Sequence, residues 1–107
     1  HGCTWTLKNH GQADPYLVST QCRFITAAKH AIKKSTGTYP VLVREGATLP
    51  IIPEFQNQLG LDSLLIGFGR LNDQIHAPNE KFDLDCFQLG CSTHATLLAE
   101  FAEMPLE

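Results

Sequence analysis

Two short stretches hold side chains whose types and spacing can do chemistry. In Asn72-Asp73-Gln74-Ile75-His76-Ala77-Pro78-Asn79-Glu80 a single histidine sits among carboxylates in a polar loop. A neutral imidazole offers a lone pair to a metal ion, and Asp73 or Glu80 is close enough in sequence to orient the ring from behind. In Arg44-Glu45-Gly46-Ala47-Thr48-Leu49-Pro50 a turn leads into a helix. Backbone N–H groups at a helix start attract anions, and Gly46 lets the chain bend closely round one. On spacing alone each stretch has a plainer explanation, and spacing favours the plainer one. The first is then a solvated loop with one titrating histidine. The second is then a strand–turn–helix connection with Thr48 as its cap.

The other histidines point to less. His94 falls on or near the apolar stripe of the last helix and reads as a ring packed in a half-buried place. His10 and His30 read as solvated. No nucleophile elbow, phosphate-binding glycine loop or HExxH pair occurs in the chain.

The elements that must position these residues follow from periodicity. Thr4 to Lys8 reads as a strand, broken by Gly11 to Pro15. Ser19 or Thr20 is placed to cap a helix in which Phe24, Ala27, Ala28, Ala31 and Ile32 recur at helical spacing, stopped by Gly37. The run Pro40-Val41-Leu42-Val43 suits a strand buried on both faces, as does Ser63 to Gly67. Between them a helix runs to Gly60. If Thr48 caps it, Pro53 lies about one turn inside and makes the first turn irregular. A polar loop from Gly69 to Lys81 precedes a last helix from about Asp83, whose expected apolar stripe is Leu84, Phe87, Cys91, Leu98 and Phe101. The order β-α-β-α-β-α predicts an α/β layer with mainly parallel strands and right-handed crossovers. In such a layer, the loops holding Gly46, Thr48 and His76 leave one edge of the sheet and face one cleft.

Composition narrows the function class. With 107 residues, 43% of them apolar, the chain can close one modest core. Eight Lys and Arg against 11 Asp and Glu give a net charge of −3, which argues against a nucleic-acid surface. No apolar run is long enough to span a bilayer and no leader pattern is visible, so membrane association is not expected. Cys3, Cys22, Cys86 and Cys91 match no zinc-knuckle spacing and read as reduced, mostly buried thiols of a cytoplasmic protein. Both ends read as cuts in a longer chain, Leu106-Glu107 as a possible tag scar.

Taken together, the segments resemble the dizinc amide hydrolases typified by carnosine dipeptidase, aminoacylase and acetylornithine deacetylase. The dipeptidase branch of that family carries Arg-Glu-Gly-Gly-Ser-Ile-Pro, then a helix, a strand and Asp-Asp-x-x-His-x-x-Asn-Glu-Lys. Here Arg44-Glu45-Gly46-Ala47-Thr48-Leu49-Pro50 and Asn72-Asp73-Gln74-Ile75-His76-Ala77-Pro78-Asn79-Glu80-Lys81 stand in that order. Asp14-Pro15-Tyr16-Leu17 looks like the family's passage out of a lid domain. The resemblance implies that the chain is the C-terminal part of a catalytic domain. Residues 1–18 would leave the lid, 19–105 form the α/β part, and 106–107 be the scar.

By the same resemblance His76 is the last metal ligand, binding one of two zinc ions. Thr48, with Gly46, holds the substrate's carboxylate at the helix start. Ala47 in place of the second glycine restricts that turn, and Asn72 in place of the first aspartate removes a charge near the histidine. The family's remaining ligands and its catalytic glutamate lie N-terminal to the lid, so no catalytic residue is expected in this chain. Implied partners are a small peptide or N-acyl amino acid substrate and the missing N-terminal half of the domain. An uncovered sheet edge would also invite pairing with another chain, a homo-oligomer among the options. The competing reading is a free-standing α/β binding module that kept the scaffold and lost its chemistry.

Overall fold

Ala27, Ala28 and Ala31 are buried on helix α1, Arg23–Thr36, where the period of the apolar residues places them; Ile25, outside that period, is buried too, and Phe24 and Ile32 are half-buried. In the computed structural model, which describes residues 2–45 and 49–105, two further helices follow, α2 at Ile51–Leu59 and α3 at Leu84–Ala102. The chain forms two units, one of His1–Val18 with Arg44–Ser63 and one of Ser19–Val43 with Leu64–Glu107. The scar at Leu106-Glu107 lies outside the described residues.

Among the described residues there is no strand and no sheet, which corrects the expected parallel β-α-β-α-β-α layer. A strand exists only when a neighbour accepts and donates its ladder hydrogen bonds. The segments that carry strand-like sequence find no such neighbour here. Thr4 to Lys8 is without regular structure, and Val41, expected to be buried on both faces, is 82% exposed. With no sheet, the argument for a shared sheet edge loses its premise. Leu64, Ile66 and Phe68 nonetheless alternate with exposed Leu65 and Gly67, the two-residue period of an extended chain lying on a surface. Leu64 and Ile66 rest on the helices.

In the first unit, α2 begins at Ile51 with Pro50 at its cap position, and Ile52 N–H donates to Leu49 O at 3.1 Å. Pro53 is therefore the third residue of the helix. The first N–H groups of a helix have no acceptor within it, so a proline there forfeits nothing. The expected conflict between a Thr48 cap and Pro53 does not arise, and Thr48 itself lies outside the described residues. Gly60 ends the helix at φ 65°, its N–H donating to Gln56 O. Beyond it Tyr16 Oη donates to Asp62 Oδ1 at 3.0 Å and accepts from Ser63 N–H at 3.3 Å.

The second unit is built on α1 packed against α3. Ala27, Ala28, Ala31 and Leu97 form the core, with Leu64, Ile66, Phe101 and Met104 around it. Small side chains on α1 let the helices approach closely. In the gap Thr93 is fully buried, its hydroxyl 2.7 Å from Ser35 Oγ. Ser35 Oγ also reaches Ala31 O at 2.9 Å, so the buried hydroxyls are satisfied, as burial requires. Phe24 meets Phe101 edge-on at 5.3 Å.

Helix α1 starts later than expected. Ser19 and Thr20 form a turn ahead of it, and the cap position falls to Cys22, whose side chain makes no capping bond. Its end is as expected, at Gly37 with φ 78°. The stripe on α3 also differs. Leu84, Phe87, Cys91 and Leu98 are exposed, whereas Cys86, Thr93 and Leu97 are buried. Of the four free cysteines only Cys86 is buried, so the thiols are unpaired but not mostly interior.

Candidate functional site

The loop between the extended segment and α3 is held at its neck by one aspartate. Asp73 is 2% exposed. Its Oδ2 accepts Arg70 N–H at 2.7 Å, and its Oδ1 accepts from Lys81 Nζ at 2.8 Å. The backbone closes the same neck, with Asp73 N–H donating to Arg70 O at 3.1 Å and Lys81 N–H to Asp73 O at 3.0 Å. Gly69 leaves room for this carboxylate, since a β-carbon there would stand 3.3 Å from Asp73 Oδ2.

Beyond the neck the chain makes two tight turns, closed by Ala77 N–H to Gln74 O and Glu80 N–H to Ala77 O. Gln74, His76 and Asn79 have φ of 53°, 62° and 63°. Side chains other than glycine adopt this left-handed region at a cost of about 1 kcal/mol or more each, and they do so where the surroundings fix them. His76 is exposed, and among the described residues its ring makes no hydrogen bond. Both ring nitrogens are thus open to a ligand. Asp73 does not orient that ring: its oxygens are taken by Arg70 and Lys81, so its role is in the loop's neck. His94 is exposed, with Nδ1 2.7 Å from Gly90 O.

Charge around the neck is arranged in pairs. Lys81 Nζ also reaches Asp83 Oδ1 at 3.0 Å and Asn72 Oδ1 at 3.3 Å. Arg70 bonds Asp85, and its Nε lies 3.3 Å from Cys86 Sγ and 3.4 Å from Asp83 Oδ2. Asp83, Asp85 and Cys86 gather three potential ligand atoms within 4.8 Å of one another, but two cations already occupy these groups. They belong to an ion-pair network.

The hydrogen bond from Lys81, then that from the Arg70 amide, holds the Asp73 carboxyl below its ordinary value. Asp73, then Asp83, raises the Lys81 ammonium above its own. A depressed carboxylate stabilises the loop above the ordinary aspartate value near ~3.9, and that contribution disappears as pH falls through the depressed value. A raised lysine stabilises it below about 10.4 and ceases to do so as pH climbs through the raised value. The loop is therefore expected to keep its order from about pH 5 to 9. Amide NMR should show the Arg70 N–H losing protection as pH falls through the acid range, and Asp73→Asn should abolish that acid step.

Gly46 and Thr48, the expected substrate-binding residues, lie outside the described residues. Lys81 and Arg70 are the residues that spacing alone missed. A loop has no period, so only their proximity to Asp73, Asp83 and Asp85 reveals them. A single imidazole is one donor, and a catalytic zinc normally takes three from protein. The His76 loop thus fits a metal as a contributor to a site, not as a complete one.

Comparison with known proteins places this loop in a family. The profile of Peptidase family M20/M25/M40 matches residues 3–100. The chain belongs to that family. Within Peptidase family M20/M25/M40, the Cys-Gly metallodipeptidase DUG1 of Saccharomyces cerevisiae is 41% identical over 80 residues, 75% of this chain and 17% of the relative. The Beta-Ala-His dipeptidase of Homo sapiens is 31% identical over 90 residues, 84% of this chain and 18% of the relative. The succinyl-diaminopimelate desuccinylase of Nitratiruptor sp. is 36% identical over 80 residues, 75% of this chain and 21% of the relative. The chain thus spans about a fifth or less of the curated relatives it matches. No solved structure matches it. Among the described residues no helix is long and apolar enough to cross a membrane.

Proposed function

We propose that this chain is the ligand-bearing C-terminal segment of a zinc-dependent dipeptidase, with His76 as a donor to one of two zinc ions. The observation that carries the reading is the His76 imidazole, exposed and without a partner among the described residues, on a loop closed by buried Asp73. Membership in a peptidase family, and two relatives named as dipeptidases, favour a dipeptide over an N-acyl amino acid as substrate. Zinc, when bound, lowers the pKa of a water and polarises an amide carbonyl. This chain would supply an imidazole, on a side chain whose point of departure is set by the left-handed backbone at His76. From sequence alone, the reading extends to Gly46 and Thr48 as the place where the dipeptide's carboxylate rests, on N–H groups and a hydroxyl.

The exposed apolar side chains support a segment of a larger domain. Val41, Val43, Leu65, Leu84, Phe87 and Leu98 are all well exposed, and α3 carries apolar residues on opposite sides. Helices of that kind belong inside larger proteins. The segment should have no turnover by itself, because one imidazole cannot complete the metal site. Assay the chain with zinc or cobalt against dipeptides and N-acyl amino acids, beside the intact protein that contains it. The expected result is chelator-sensitive hydrolysis by the intact protein only. Turnover by the repurified segment, abolished by chelator, would overturn the first half of that expectation. An intact protein inert toward both substrate classes would overturn the function.

A further inference from the structure

We propose that Lys81 is a positioning residue for His76, tying the neck of the histidine loop to the start of α3. This rests on the reading of His76 as a ligand.

The geometry is specific. An ammonium has three N–H donors, and Lys81 Nζ has acceptors on three residues: Asp73 Oδ1 at 2.8 Å, Asp83 Oδ1 at 3.0 Å and Asn72 Oδ1 at 3.3 Å. Asp73 and Asn72 stand on the incoming side of the loop, and Asp83 is the N-cap residue of α3. Asp83 makes no capping bond to its own helix; its carboxylate is turned to Lys81 and Arg70 instead. One cation therefore joins both arms of the loop to the helix that follows.

Nothing else in the described loop does this from beyond the neck. Residues 74–80 make only their own two turn bonds, and His76 makes none through its ring. The place of the His76 backbone, from which the imidazole departs, is consequently inherited from the neck. With Lys81 neutralised, the buried Asp73 carboxylate keeps the Arg70 amide but loses its charge partner. A carboxylate so placed draws in water or takes up a proton, and the left-handed residues lose one of the ties that hold the neck beneath them.

Arginine is a poor substitute at this position. Its planar fork matches one carboxylate edge-on and does not place three donors round a point. The prediction is a graded series in the intact protein, with Lys81→Arg intermediate and Lys81→Met most affected. In the metal-free protein, Lys81→Met should lower exchange protection of the Arg70 and Lys81 amides by tenfold or more, while the α1 and α3 amides keep theirs. Affinity for added zinc should fall roughly 10- to 100-fold, the scale on which outer partners of metal ligands act. With metal saturating, kcat should fall more than KM rises.

A double-mutant cycle separates positioning from general loosening. In a His76→Ala background, Lys81→Met should lower zinc affinity no further. If it lowers affinity equally in both backgrounds, or leaves affinity and protection unchanged in the wild-type background, the proposal is overturned. If protection falls but zinc affinity holds, Lys81 orders the loop without positioning a ligand, and the proposal again fails. If His76→Ala alone leaves zinc affinity unchanged, the ligand reading itself fails, and the exchange measurement still reports what Lys81 does to the loop.

Discussion

If His76 is the zinc donor proposed above, replacing it with alanine in the intact protein is expected to cost one zinc ion and most of the turnover, while leaving the fold in place. The structural half of this expectation rests on observed geometry. His76 is exposed and its ring bonds to nothing among the described residues, so truncating it leaves no buried group unpaired and no cavity. Surface changes of that kind alter stability by less than about 0.5 kcal/mol. Alanine is also no better suited than histidine to φ 62°, so the backbone strain is retained.

The chemical half follows from ligand number. A site of three protein donors reduced to two holds its metal weakly, and changes even one step removed from a ligand cost ~10–100-fold. Loss of the ligand should exceed that. Metal content after dialysis, melting of the helices and kcat/KM with saturating zinc check the three parts. Two retained zinc ions with near-normal kcat/KM would show that His76 is not a ligand.

What could be read from sequence follows the range over which each feature is decided. The helices depend on neighbours a few residues away. Alanines at helical spacing place α1, and Gly37 and Gly60 end α1 and α2 at φ 78° and 65°. The strands depend on partners far off in sequence. Val41-Leu42-Val43 has strand composition, yet an extended segment without a neighbour forms no ladder, and it lies exposed.

The start of α2 is left open by the sequence. A proline at the third helical position is harmless, and only the position of Ile51 shows that Pro53 stands there. At the candidate site, the motif around His76 was legible, and so was the acidic character of its loop. That Asp73 closes the neck instead of orienting the ring was not legible. It depends on where Lys81, eight residues on, turns its ammonium.

The second large effect concerns α3 and decides which of two adjacent leucines holds the segment together. Sequence periodicity favoured Leu98, which is 69% exposed; Leu97 is 7% exposed and lies in the core with Ala27, Ala28 and Ala31. Because α3 is apolar on more than one side, its own pattern cannot choose between them; packing against α1 does. Leu97→Ala removes the largest side chain of that core. Its neighbours on α1 are alanines, which cannot reach across to fill the space, so that any collapse falls to the partly buried Leu64, Ile66, Phe101 and Met104 around it. Large-to-small changes in such places cost about 2–5 kcal/mol, toward the upper end where the site cannot collapse. Small domains have roughly 5–15 kcal/mol in total, and a core built on three alanines belongs near the bottom of that range. Urea titration of the segment, followed by helical circular dichroism, should show Leu97→Ala largely unfolded before denaturant is added. Leu98→Ala should shift the midpoint little, since an exposed leucine gives up almost no buried surface. Equal shifts for the two variants, or a larger one for Leu98→Ala, would mean that α3 presents its other side to the core.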